Sequence, residues 1–117
     1  MDLEKIREYC LSKLGVTECF PFDQQTLVFK VGGKMFALID VETPESINVK
    51  CDPEKAIELR ERYPAILPGY HMNKKHWNTV QLNQGLSDQL ILSFLNESYQ
   101  LVYQSLTKKQ RSEIEVG

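Results

Sequence analysis

Apolar residues recur along this chain with two different periods, and the switch between them marks out its elements. Across 2–14, Leu3, Ile6, Cys10, Leu11 and Leu14 fall three and four residues apart, which is one face of a helix. Asp2 stands where a cap belongs and Gly15 where such a helix ends. From residue 26 the period becomes two. TLVFKV (26–31) and KMFALIDV (34–41) flank Gly32-Gly33, the composition of a two-residue hairpin turn. An unbroken ladder through that turn sets Phe29 opposite Phe36 and Leu27 opposite Leu38 on an apolar face. The other face pairs Val28 with Ala37 and Lys30 with Met35, and is the less covered one.

Beyond the loop 42–46, the segment 47–51 alternates Ile47, Val49 and Cys51 inward with Asn48 and Lys50 outward. Asp52-Pro53-Glu54 then combines an N-cap carboxylate, proline at the first helical position and an acid at the positive helix end. Ala56, Ile57, Leu59 and Tyr63 supply an apolar stripe, and Pro64 stops the helix. Residues 65–82 are punctuated by Pro68-Gly69 and predict two strands around a turn near Asn73-Lys74. Ser87 caps a last helix whose core stripe runs Leu90, Ile91, Phe94, Leu95, Ser98, Leu101, Val102 and Leu106. Lys108, Lys109 and Arg111 suit its negative end, and the polar tail 112–117 is expected to fray. The order is α-β-β-β-α-β-β-α over 1–117. It predicts a single α+β domain of two layers, an antiparallel sheet with its helices on one face.

At 117 residues, with 42% apolar and 26% charged side chains, the chain is long enough for a core without metal or disulfide staples. No apolar run approaches the roughly 20 residues of a membrane span, and the opening Met1-Asp2-Leu3-Glu4 lacks the order of a signal peptide. Cys10, Cys19 and Cys51 form no Cys-x-x-Cys pair, so small buried thiols in a cytoplasmic protein are expected.

Catalytic patterns are absent from the sequence. Gly32-Gly33 is explained by the hairpin rather than by phosphate binding, and Glu58 and Glu61 are explained as helix surface. A turn at Asn73-Lys74 would bring His71 and His76 face to face, but two imidazoles fall short of a zinc site. No catalytic residue, metal site or cofactor is therefore expected, and the chain reads as a non-enzymatic binding module.

Charge distribution says more than the net charge of −2. From Arg62 through Ser87 there is no Asp or Glu, while Lys74 and Lys75 are interleaved with Tyr70, Asn73, His76, Trp77 and Asn78. Phosphates favour lysine and arginine, and bases favour flat rings and amides. Lys30 and Lys34 add charge at the tip of the first hairpin, so two basic hairpins could flank a nucleic-acid groove as wings. Lys74 and Lys75 alone would give a log–log salt slope near −2, and Lys30 and Lys34 would raise it to about −4. The other reading keeps these lysines as solvated tips protecting strand edges. It places a protein partner on the less covered face around Val28, Met35 and Ala37. A monomer is expected in either case.

The segment PGYHMNKKHWNTV (68–80) resembles the MmcQ/YjbR-like family of small bacterial proteins. The resemblance extends over Pro21-Phe22, the hairpin 28–38, the strand INVKC with its following helix, and Ser98-Tyr99 with Leu101-Val102. The resemblance implies Gly after Pro-Phe, and this chain has Asp23 there. The resemblance implies a fold similar to CyaY and to secretion chaperones. It also implies DNA binding through a double-wing arrangement, carried at Asn73, Lys74, Lys75, His76, Trp77 and Asn78, and it implies no reaction.

Overall fold

The computed structural model describes residues 1–116. Along the chain run α1 (Leu3–Leu11), β1 (Val16–Cys19), β2 (Thr26–Val31), β3 (Lys34–Asp40), β4 (Ser46–Lys50) and α2 (Pro53–Arg62). They are followed by β5 (Ile66–Pro68), β6 (Trp77–Gln81), α3 (Asp88–Ser105) and α4 (Lys108–Val116). All strand pairings are antiparallel, and the sheet order is β1-β2-β3-β4-β6-β5. The fold is α+β, as its sequence pattern predicts.

The main core lies between one sheet face and the helices. Ile6 and Cys10 of α1, Ala56 and Leu59 of α2, and Ile91, Leu95 and Val102 of α3 pack on Phe29, Phe36, Ile39, Ile47 and Val80. The opposite face carries a small cluster of Val28, Leu38 and Trp77, with Cys19, Met35 and Met72 packed against it and no helix residue. Capping follows the sequence: Asp2, Asp52 and Ser87 accept the backbone N–H of Lys5, Lys55 and Leu90. The β2–β3 turn has both Gly32 and Gly33 at positive φ, +59° and +78°, the backbone a two-residue hairpin requires.

Four sequence expectations are corrected. The ladder of β2 and β3 is not unbroken: Lys30 pairs with Met35, but Phe29 pairs with Ala37, Val28 with Leu38 and Leu27 with Ile39. A bulge at Phe36 adds one residue to β3, so Phe36 and Ala37 both turn to the helices. Next, β1 lies where the sequence pattern predicts only a link. Its four residues pair with β2 at the sheet edge, and its Glu18 accepts from the Arg7 guanidinium at 2.8 and 2.6 Å. Third, α3 stops at Ser105 and residues 112–116 of the expected tail belong to α4, residue 117 lying outside the described residues. Leu106 takes extended dihedrals and seats its side chain on the hairpin tip beside Gly32. Thr107 and Gln110 then cap α4 reciprocally, each side chain accepting the other's backbone N–H. Finally, Leu14, Ile57 and Leu101 are exposed. Leu14 lies beyond the end of α1, and the other two sit one position round the helix from the buried Ala56 and Val102.

The cysteines are free. Cys10 is fully buried, and burial pushes its thiol up to about 12, while Cys51, also buried, is raised for the same reason. Cys19 is half-buried on the edge strand. A thiol reagent added to native protein should therefore modify Cys19 first, with Cys10 reacting only on unfolding. Labelling at Cys10 as fast as at Cys19 would contradict this packing.

Candidate nucleic-acid interface

The helix-free face can be drawn from strand register alone, because residues paired across strands share a face. One row is in two parts, Thr17, Lys30 and Met35 on one side of the Phe36 bulge and Lys50 with Trp77 beyond it. A second runs Cys19, Val28, Leu38, Asn48, Thr79 and Leu67. A third contains Thr26 and Asp40, with Ser46 and Gln81. The face therefore grades from a lysine row through an apolar and amide row to a polar row with a carboxylate. The lysine row lies at the end where the β2–β3 tip carries Lys34 and where the connection between β5 and β6 carries Lys74 and Lys75.

That connection, residues 69–76, is not a two-residue turn. The ladder ends at Pro68–Asn78, and the chain then folds back over the sheet. The backbone N–H of Tyr70 donates to Thr79 Oγ1 at 2.9 Å, and Met72 packs on the Val28, Leu38 and Trp77 cluster. His71 takes φ +58°, a left-handed conformation, and its ring centroid lies 4.1 Å from that of Tyr70. It is not a cross-strand neighbour of His76, whose backbone carbonyl instead accepts the N–H of Cys51. Asn73 accepts the backbone N–H of Lys75 through its side chain, and its carbonyl accepts those of His76 and Trp77. Lys74 donates its ammonium to the Gly69 carbonyl at 3.0 Å.

Arg60 of α2 fastens this loop. Its Nε donates to Asn78 Oδ1 at 2.6 Å, and its Nη2 donates to the backbone carbonyls of Lys74 and Trp77. Asn78 completes its hydrogen bonding by donating to the Ala56 carbonyl. Asn78 is thus a buried partner on the helix side of the sheet, and Trp77 is a buried member of the opposite cluster. Neither presents a free edge or ring face to a nucleic acid, which corrects the roles their motif suggests. Ala37 faces the helices, and Val28 is fully buried with Met72 packed against its cluster. The surface suggested for a protein partner is therefore closed at both residues.

Tyr70, at 69% exposed, and Lys34, Lys74 and Lys75 remain accessible, with Lys30 half-buried along the row. Lys34 places Nζ 3.5 Å from Ser105 Oγ. Two contributors were missed at the level of sequence. Lys50 is identifiable as outward-facing from the alternation of β4, but only register puts it beside Trp77, at the same end of the face as Lys30 and with β3 between the two lysines. Arg60 looks like one more charge on an exposed helix until Asn78 is found beneath it. Asp23 accepts the N–H of Gln25 and Thr26 at 2.9 and 2.6 Å. These bonds, Thr26 foremost, hold its carboxyl below the usual range and shape the turn into β2.

Comparison with known proteins agrees with this architecture. The Escherichia coli O157:H7 protein YbdF is 40% identical over 100 residues, covering 85% of this chain and 82% of its own. The Escherichia coli K12 protein YjbR is 31% identical over 112 residues, 95% of each chain. A crystal structure from Deinococcus radiodurans superposes with a TM-score of 0.90 at 42% identity, over 97% of this chain and 87% of that one. A Pseudomonas syringae protein gives a TM-score of 0.73 at 30% identity, over 87% and 99%. The sequence pattern of the YjbR family matches residues 11–101, which takes in the whole sheet and most of α3, and the chain belongs to that family.

Proposed function

We propose that this protein is a binding module that meets the phosphate backbone of nucleic acid with the lysine end of its helix-free sheet face. The observation that supports it is register. Lys30 and Lys50 lie at one end of the face, paired with Met35 and Trp77 and with no carboxylate among those partners, and the Lys34 tip and the Lys74-Lys75 loop lie at the same end. The two hairpins act as wings, with Tyr70 as the exposed ring beside them. With Trp77 and Asn78 buried, little is left to read bases, so binding is weak, electrostatic and indifferent to sequence. The overall charge of −2 opposes the approach of a polyanion and keeps this binding weak.

The test is fluorescence anisotropy with labelled duplex DNA, titrated across salt concentrations. About five neutralised phosphates predict a log–log slope near −4.5. No binding at low salt, or binding insensitive to salt, sinks the reading.

A further inference from the structure

Beyond the lysine row, the same face holds a second feature, which shares Tyr70 with the reading above but none of its lysines. A cleft of about 560 Å³ opens over the middle and polar rows, within the size range of small-molecule sites. Its floor includes Leu38, Asn48 and Thr79. Phe22 enters from the link between β1 and β2, and Tyr70 with His71 from the loop between β5 and β6, so aromatic groups reach in from opposite edges of the sheet. Phe22 is 64% and Tyr70 69% exposed, an unusual amount of open aromatic surface unless a ligand covers it.

We propose that this cleft binds a small organic cation, a protonated amine carried on an aromatic or apolar body. The aromatic walls and apolar floor favour such a body, and the charge of the lining selects its head group. Asp23, Asp40 and Glu45 line the cleft, and no lysine or arginine does. The three carboxylates form no metal-binding group among the described residues, so they offer a dispersed negative field rather than a coordination shell. Asp40 is also fixed in place: its Oδ1 accepts the N–H of Glu42 and Thr43 at 2.8 and 3.0 Å, which leaves Oδ2 for a ligand. An ammonium between the rings and Asp40 gains cation–π and ionic attraction together. An anionic ligand of the same shape meets only carboxylates.

The test is an NMR titration of isotope-labelled protein with phenethylamine, its neutral isostere phenethyl alcohol, and 3-phenylpropionate. The amine should shift amides in 22–26, 40–46 and 70–72, the alcohol should bind several-fold more weakly, and the anion should leave the cleft unmoved. Tyr70→Ala and Asp40→Asn should each weaken the amine by about two- to fivefold. The amide introduced by Asp40→Asn keeps an oxygen for the two turn N–H groups, so the loop should survive. Equal binding of amine and alcohol, indifference to Asp40→Asn, or no cleft shifts at millimolar amine would overturn the assignment. A lysine-bearing peptide that saturates these shifts well below the amine would also overturn it, because the occupant would then be a protein chain. Salt-dependent DNA binding should be unaffected by Asp40→Asn, which keeps this test separate from that of the lysine row.

Discussion

Replacing Arg60 by Met should destabilise the protein by about 2–3 kcal/mol, a large share of the stability of a domain this size. Arg60 is half-buried and reads in sequence as one more surface charge, yet its guanidinium donates to Asn78 Oδ1 and to two backbone carbonyls of the 69–77 region. Without it, Asn78 Oδ1 is buried at 1% exposure with no donor. A stranded buried acceptor costs more than a formed hydrogen bond gains. Thermal unfolding, followed through the single Trp77, should lose roughly 8–12 °C. Amide exchange at His76 and Trp77 should quicken, since their acceptor, the Asn73 carbonyl, belongs to the released loop. Adding Asn78→Leu to Arg60→Met should recover part of the loss, because removing both partners leaves nothing unsatisfied. If the double variant were less stable than either single one, the clamp would not be the source of the effect.

This clamp also marks the limit of what the sequence discloses. Patterns that act over three or four residues were legible: the caps at Asp2, Asp52 and Ser87, the Gly32-Gly33 turn, and the alternation of β4. Features decided by distant partners were not. The bulge at Phe36 keeps that ring on the helix side, where it meets Tyr99 edge-on at 5.5 Å. It also brings Ala37 and Ile39 to the same core and sends Leu38 to the outer cluster, a choice set by packing partners far away in sequence. The break at Leu106 follows from a hairpin tip that lies far away in sequence. Even so, the Thr107-Lys108-Lys109-Gln110 capping box was local and readable, and it was masked by a hydrophobic stripe that continued through it. At the candidate interface, composition found the basic loop and the hairpin lysines. It gave Trp77 and Asn78 the wrong side of the surface, because alternation fixes which residues share a face but not which face is later covered.

A Lys30→Gln, Lys34→Gln, Lys75→Gln variant should separate surface charge from scaffold at the lysine row. Lys74 is left in place because its ammonium holds the Gly69 carbonyl, so its loss would loosen the loop as well as remove a charge. None of the three chosen side chains is fully buried, and glutamine preserves most of their length, so melting temperature should stay close to wild type. Each lysine that neutralises a phosphate contributes about 0.9 to the salt slope, so the variant should flatten it by roughly 2.7. Extrapolated from 1 M salt, where counterion release no longer contributes, that difference amounts to roughly a five-hundredfold loss of affinity at 0.1 M. The loss should shrink steadily as salt rises and should be alike for different duplex sequences, since phosphates carry no sequence information. Tyr70→Ala serves as the contrast: it removes an exposed ring without removing charge, so it should leave the slope unchanged whatever it does to affinity. A well-folded triple variant with the wild-type slope would place any DNA contact elsewhere on the molecule, and the shared end of the two hairpins would then be only solvated surface.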